Sequence, residues 1–400
     1  MKKGWQTKRL ADLVEVQNGY AFSSKDYSES GHFLMRIGNV QNGYISTADP
    51  KFIKLPADGS LQRFVLSEDD ILVSLTGNVG RVGVIQESHL PAALNQRVAR
   101  ISISKDSPAT RELLLLFLCS DWFREELIGA GHGAAQQNVS TKDLVEIEIP
   151  VPPLAEQQRI VGLLGKAFEG LAIAKANAEK NLQNARALFE RHLQSVFTQR
   201  GPGWVEKHLK EVCEKITDGT HQTPKYFDEG IVFLSSRNVT SGTIDWDRIK
   251  YIDTKQHLEM HKRVAPRLND ILLAKNGTTG VAAIVDRDTT FDIYVSLALL
   301  RALPVMRPRF LLHFINSPAA KMQFNKRLKG IGVPNLHLEE IREVRLAFPA
   351  DLEDQDRVVD ELDDLRKETQ RLARLYEQKL AALESLKKSL LHQAFTGELL

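Results

Sequence analysis

The stretch LAEQQRIVGLL, Leu154–Leu164, decides the fold, because the chain writes it again as LEDQDRVVDEL at Leu352–Leu362. Leu154, Gln157, Arg159, Val161 and Leu164 meet Leu352, Gln355, Arg357, Val359 and Leu362 at an offset of 198 residues. Sliding the chain along itself by about 197 to 200 residues brings other stretches into the same order. Gly4-Trp5 and Leu10 meet Gly203-Trp204 and Leu209. FLMRIGNVQNG from Phe33 meets FLSSRNVTSG from Phe233, and DILVSLTGNVG from Asp70 meets DILLAKNGTTG from Asp270. NVSTKDL from Asn138 meets NLHLEEI from Asn335, and LFERHLQSVFT ending at Thr198 meets LKKSLLHQAFT ending at Thr396. One pair could be chance, but an ordered series at nearly one offset is a tandem duplication. Each unit is about 200 residues, too long for a solenoid repeat and the right size for a domain plus a helix.

Within each unit the texture changes once. The first 150 residues or so carry short apolar runs broken by Gly, Asn, Asp and Pro, as in FVLSEDDILVSL and DILLAKNGTTGVAAIV, which predicts strands and turns. RELLLLFLCSDWFREELI from Arg111 and RFLLHFINSPAAKMQFNKRL from Arg309 read as matched helices. Prolines at VPPL (Val151–Leu154) and AFPADL (Ala347–Leu352) then stand where a helix starts, since a missing N–H costs little there.

Beyond them each copy is helical for about 45 residues. Val161, Leu164, Phe168, Leu171, Lys175, Ala178, Leu182, Ala185, Phe189, His192 and Val196 alternate steps of three and four. Val358, Leu362, Leu365, Thr369, Leu372, Tyr376, Lys379, Leu383, Leu386 and Leu390 do the same. That alternation is a coiled-coil seam, and a helix of roughly 65 Å carrying it needs a partner to cover it. The other copy is the nearest partner. The pair could run parallel or antiparallel; two-fold packing of duplicated units requires antiparallel, which puts the two heads at opposite ends of one rod. Lys175 and Lys379 either fix the register or snorkel at the edge of the seam. The fold expected is therefore α+β: mixed α/β heads at 1–150 and 201–349, and long helices at 151–200 and 350–400 forming an antiparallel intramolecular coiled coil.

Composition bounds the function. The 400 residues are 42% hydrophobic and 26% charged with a net charge of +2, ordinary for a globular protein. No run approaches about 18 apolar residues, so no membrane span is expected, and the basic start MKKGWQTKRL lacks an apolar core behind it. Cys119 and Cys213, far apart in apolar surroundings, suit a reducing cytoplasm and make neither a disulfide framework nor a zinc site.

Catalytic signatures are missing. There is no phosphate-loop pattern and no Asn or Asp before Pro-Pro-Tyr or Pro-Pro-Phe. HLEMH, His257–His261, sets two imidazoles one helical turn apart but shows no evident third ligand, so no metal is expected there. Glu377 and Lys379 lie on the coil, and the pairs Gly77/Gly80 and Gly277/Gly280 read as tight turns between strands. The chain is not expected to be an enzyme by itself.

Two features point to DNA. Tyr294–Leu338 holds no Asp or Glu but seven basic residues, Arg301, Arg307, Arg309, Lys321, Lys326, Arg327 and Lys329, which would attract phosphate if they faced one way. Arg97, Arg100 and Lys105 form a weaker counterpart in a first head that is slightly acidic overall. The second feature is the chemistry of the turns. Arg36 and Asn39 follow one strand, and Arg237 and Asn238 follow its copy. Thr76, Asn78 and Arg81 flank one glycine turn; Lys275, Asn276, Thr278 and Thr279 flank the other; Gln136, Gln137 and Asn138 end a further loop. Amides and guanidinium groups make paired hydrogen bonds to adenine and guanine edges, and they are also ordinary turn residues. The two copies differ most in these turns, as two scaffolds reading two short sequences would.

These residues resemble the specificity subunit of Type I restriction–modification systems over essentially the whole chain. PPLAEQQRIV (Pro152–Val161) and AFTGEL (Ala394–Leu399) carry most of the resemblance, with DILVSLTGNVG and the Gln-rich loop before Asn138. PADLEDQDRVV departs from it by losing the Pro-Pro and changing Glu-Gln-Gln to Asp-Gln-Asp. The resemblance implies two target recognition domains, each reading half of a bipartite site in double-stranded DNA, and a helix pair that sets the spacer. It implies two methyltransferase subunits using S-adenosylmethionine and, optionally, two restriction subunits using ATP and Mg, with no cofactor on this chain. A Type IIB specificity subunit is a close alternative; a two-headed protein adaptor and a nucleotide-binding enzyme are more distant ones.

Overall fold

The computed structural model describes residues 2, 4–131, 138–199, 201–239, 242–277, 279–328 and 335–399. Gln136, Gln137, Thr278 and Lys329 lie outside them. The chain divides into two compact units, Met1–Asn177 with Gln378–Leu400, and Ala178–Glu377.

Each head closes on itself at its ends. Gln6–Arg9 pairs antiparallel with Glu148–Val151, and Trp204–His208 with Arg345–Pro349, so the strand that leads into a long helix is tied to the strand that opened the head. A four-stranded antiparallel sheet follows in both. Its order is Val82–Val84, Ile71–Ser74, Val98–Ile103, Val14–Asn18 in the first head, and Ala282–Ile284, Ile271–Ala274, Leu297–Ala302, Cys213–Asp218 in the second. The D-I-L strands are buried on both faces because alternate residues serve different cores. Ile71 and Val73 pack toward the helices Arg111–Leu118 and Asp121–Gly129, whereas Leu72 packs with Phe33, Met35 and Val98. Ile271 and Leu273 divide from Leu272 and Ala274 in the same way. A second, mixed sheet holds a parallel pair, His32–Met35 with Ala92–Leu94, repeated as Ile231–Leu234 with Phe291–Ile293.

The long helices run Leu154–Thr198 and Leu352–Thr396. The lost Pro-Pro of the second is replaced by a cap: the Asp351 carboxylate accepts the N–H groups of Glu353 and Asp354 at 2.7 and 3.3 Å. The helices are antiparallel, because partner numbers fall as residue numbers rise. In the first unit Lys387 lies over the Phe168 ring and Lys175 pairs with Glu384; in the second Arg186 pairs with Glu377, Arg366 lies over Phe189, and His192 meets Glu361. The expected seam is buried or half-buried at every position except three. Lys175, Lys379 and Leu386 are exposed, and Ala174 and Leu380 turn inward beside the lysines instead. Lys175 is an edge residue with its ammonium 2.6 Å from Glu384.

Both helices contribute to both head cores. Ile160 and Leu164 join Leu391, Ala394 and Phe395 in the first, while Val359 and Leu362 join Leu193 and Phe197 in the second. The repeated Phe-Thr ending thus has a packing role. Phe395 meets Phe117 edge-on at 5.2 Å, and Phe197 meets Phe310 and Phe314 edge-on at 5.4 Å.

Candidate nucleic-acid interface

In each head three backbone features that the sequence keeps far apart come together. The first is the glycine hairpin joining the D-I-L strand to its neighbour, with Gly77 and Gly80 at φ +71° and +76°, and Gly277 and Gly280 at +77° and +83°. Only glycine takes these angles without strain. The second is Asn138 in one head and Asn335 in the other, bridged to the hairpin at Thr76 and Asn276 respectively. The third is a cleft. In the first head it encloses about 460 Å³ and is lined by Arg36, Gly38, Asn95, Gln96 and Arg97 among others. In the second it encloses about 700 Å³, with Tyr226, Arg237, Arg248, Lys250 and Tyr294 on its walls. One hydrogen bond ties hairpin to cleft in each copy: Leu75 donates its N–H to the Arg97 carbonyl at 2.9 Å, and Lys275 to the Ser296 carbonyl at 3.0 Å.

The side chains at these places sort into three groups, the first two expected from the sequence and the third not. Arg36, Arg97 and Arg237 line the clefts, and Asn78 stands exposed on its hairpin. Arg36 reaches the Asp49 carbonyl and carboxylate at 2.6 and 3.1 Å, and Lys51 followed by Arg36 holds the Asp49 carboxyl below the usual range. Arg81 donates to Gln41 at 2.7 Å. Thr279 is half-buried, Lys326 is exposed, and Arg327 donates to the Gln323 carbonyl of its own helix.

A second group is spent inside the fold. Asn39 is 1% exposed; its Oδ1 accepts the Arg36 N–H at 3.1 Å and its amide nitrogen donates to the Ser46 and Ala48 carbonyls. Asn238 repeats this with the Ser235 N–H and the carbonyls of Asp245 and Arg248. An amide with both hydrogens engaged has none left for a base edge, so these two pin their turns. Thr76 is buried at the bridge. Lys275 is buried, with its ammonium 3.1 Å from Asp218. Burial opposes ionisation of Asp218, and Lys275 with His221 more than offsets it, so that carboxyl sits below its ordinary range. The basic run of the second head is likewise not one free face. Arg301 forks onto Asp270 at 2.8 and 2.7 Å, Arg307 pairs with Asp356, and Arg309 with Asp363. The run lacks acids because its partners lie elsewhere in the sequence.

The third group is what the sequence reading missed: Asn95, Gln96, Thr223, Tyr226, Arg248, Lys250, Tyr294 and Asn335. Lys250 stands 3.8 Å from the centre of the Tyr226 ring, and burial pushes the Tyr226 phenol up. Tyr226, Lys250 and Tyr294 come from three separate segments, so no local spacing announces them; only the repeated Asn138/Asn335 register marked its residue. The expected absence of a third ligand near HLEMH also needs correcting. Asp292 lies between the two imidazoles, from a strand 31 residues beyond His261.

A duplicated scaffold, with one framework repeated and two differently furnished polar faces, defines a paired recognition protein. The chain belongs to the family of the Type I restriction modification DNA specificity domain, whose model matches it twice, over residues 2–183 and 202–382. It is 23% identical to the Escherichia coli Type I restriction enzyme EcoBI specificity subunit, across 99% of this chain and 86% of that one. It is 28% identical to the Methanocaldococcus jannaschii MjaVIII specificity subunit over 46% of this chain and 43% of that one. Its fold matches that of the HsdS subunit from Thermoanaerobacter tengcongensis, with a TM-score of 0.61 at 20% identity, covering 100% and 98% of the two chains. A chain from a structural study of complex assembly and conformational transition in the type I R-M system matches with a TM-score of 0.78, again at 20% identity, covering 100% and 99%.

Proposed function

We propose that this chain is the DNA-recognition subunit of a Type I restriction–modification complex, each head reading one half of a split site and the helix pair setting the gap. The observation that carries this is the repeated assembly of hairpin, bridge and cleft on matched frameworks. Where the frameworks agree the side chains differ: Gln96 and Arg97 furnish one cleft, Tyr226, Arg248 and Lys250 the other. Guanidinium and amide groups read base edges, and aromatic rings pack against bases or sugars.

The chain works with partners in this reading. Methyltransferase subunits, two per chain, dock on it and methylate adenine with S-adenosylmethionine; restriction subunits, where present, use ATP and Mg. The chain itself is non-catalytic and binds none of these cofactors. The net charge of +2 is consistent with partners making much of the phosphate contact. Among the described residues no helix is long and apolar enough to cross a membrane. In this reading the complex acts on DNA in the cytoplasm.

Methylation mapping tests this directly. The chain is co-expressed with its cognate methyltransferase subunit, and host DNA is mapped. Methyladenine on both strands of a two-part motif with a constant gap is expected. A soluble complex that leaves DNA unmodified at any such motif overturns the reading.

A further inference from the structure

We propose that His257, His261 and Asp292 form a divalent-cation site of the zinc class, which fastens the helix Thr254–His261 to the sheet beneath the second cleft. His257 and His261 are one turn apart and share a helix face. Asp292 is the middle residue of the strand Phe291–Ile293 and is 2% exposed in its side chain. The Nδ1 atoms of both imidazoles point at this carboxylate, His257 at 2.7 Å from Oδ2 and His261 at 3.1 Å from Oδ1. One donor atom from each of the three residues lies within 4.8 Å of the others. In a tetrahedral site with bonds of about 2.0–2.1 Å, ligand atoms stand roughly 3.3 Å apart. Against that spacing the His257 contact is short by about 0.6 Å and the His261 contact by about 0.2 Å, while the 4.8 Å bound leaves the donor atoms as much as about 1.5 Å to close around the ion. Two imidazoles and a carboxylate suit Zn²⁺ or Co²⁺ rather than the all-oxygen cations. Exposure rises from 2% at Asp292 through 14% at His257 to 32% at His261, which leaves one side open for a fourth ligand from water.

The duplication supplies an internal control. The strand registers equate Asp292, paired with Phe233, with Ala93, paired with Leu34. The equivalence is anchored by Gly31 against the Ile53 carbonyl and Gly230 against the Ile252 carbonyl. In the first head Ala93 joins an apolar cluster with Leu34, Ile53, Phe22, Tyr27 and Leu55. The framework thus closes this position with apolar contacts in one copy, so the buried carboxylate of the other is not a requirement of the fold. Burying a carboxylate is costly without strong partners. Two imidazoles on one helix face aimed at it provide such partners, and they also make a ligand set.

The site bears on recognition through a short chain of contacts. Gln256, next to His257, grips Lys225 in both directions, accepting its N–H at 2.8 Å and donating to its carbonyl at 3.0 Å. The following residue, Tyr226, is a wall of the cleft, and Tyr294 lies two residues beyond Asp292 on the same strand face. A bound cation would hold that wall in place. This last step rests on the DNA-recognition reading; the cation site does not.

The test uses the full chain, stripped with EDTA and titrated with Co²⁺. The expected result is the visible absorption of four-coordinate Co²⁺, saturating at about one ion per chain, bleached by Zn²⁺ and accompanied by a higher melting temperature. The double variant H257A/H261A is expected to lose the signal. A triple variant, H257L/H261L/D292A, copies the apolar character of the first head and is expected to fold while giving no signal. Absence of saturable Co²⁺ or Zn²⁺ binding by the parent chain overturns the proposal and leaves Asp292 as a hydrogen-bonded bridge. So does retention of the signal in either variant. Neither result depends on DNA, so failure here is distinct from failure of the recognition reading.

Discussion

Gln157 and Gln355 explain why the same helix start is written twice. The Gln157 amide accepts the Thr110 N–H at 2.8 Å and donates to the Pro108 and Pro152 carbonyls at 2.7 and 2.9 Å. Gln355 accepts the Arg307 N–H at 2.8 Å and donates to the Val305 and Pro349 carbonyls, both at 3.0 Å. Each glutamine locks the start of a long helix to the start of a helix in its head. Truncation to Ala removes three hydrogen bonds, one of them fully buried, to the Pro152 or the Pro349 carbonyl, and two half-buried. Q157A and Q355A are each expected to lower stability by about 2–4 kcal/mol in denaturant titration, since an orphaned buried group costs about 1–3 kcal/mol. The repeat was legible in the sequence; the joint was not, because its partners lie 47 to 50 residues away. His313 makes a pH-dependent case at the same scale. Burial, then the nearby Arg366 charge, holds its imidazole down to about 4 despite a 3.0 Å contact to Asp363. The unfolded chain takes up this proton near pH 6.5 and the folded chain only near 4, so the unfolded state binds more protons between them. Stability from this group is complete above about pH 6.5 and falls as pH is lowered toward 4. Thr110 and Arg307, whose N–H groups meet the paired glutamines, align His313 with Leu116 of the first head, and H313L is expected to flatten the decline in melting temperature across that window.

At the scale of elements, the long helices were legible because three-four periodicity over some 45 residues has few other causes. Their charged positions were less legible, since a lysine in step with the seam can rotate outward on its stem and let a neighbour fill the gap. Lys175 does this beside Ala174, and Lys379 beside Leu380. The energetic weight follows the apolar contacts. Phe395 is 2% exposed and packs on Phe117, so F395A is expected to cost about 3–5 kcal/mol. The Lys175–Glu384 pair is 47% and 54% exposed, so K175A is expected to cost less than about 1 kcal/mol. Chemical denaturation of both variants checks the contrast, and equal losses would contradict it. The strands were legible as a class, from D-I-L runs and glycine turns. Their parallel pairs were not, because Ala92–Leu94 and His32–Met35 are joined through distant chain rather than a turn.

At the scale of the whole molecule, duplication is the property from which function follows. Repeats in register revealed two heads and two helices, but the faces proposed for recognition stayed hidden. Each is assembled from segments distant in sequence, and turn composition alone does not separate Asn39, buried in the cleft wall with its amide spent on its own loop, from Gln96, exposed on the same wall. Two consequences follow if each head reads half a site and the helices set the gap. Exchanging residues 1–150 for the first head of another family member is expected to change one half of the methylated motif and leave the other half and the gap intact. Changing the helices is expected to do the reverse. Adding seven residues after Asn177 and seven after Glu377 places them at matching points of the antiparallel pair, where the compact units meet in sequence. Seven residues keep the seam in step at a period near 3.5. They add about 10.5 Å of helix, or about three base pairs of duplex at 3.4 Å each. Methylation mapping of the doubly extended chain is expected to return both half-sites unchanged with the gap lengthened by about that amount. An unchanged gap in a folded, methylating complex would deny the helices this role while leaving each head's half-site reading in place.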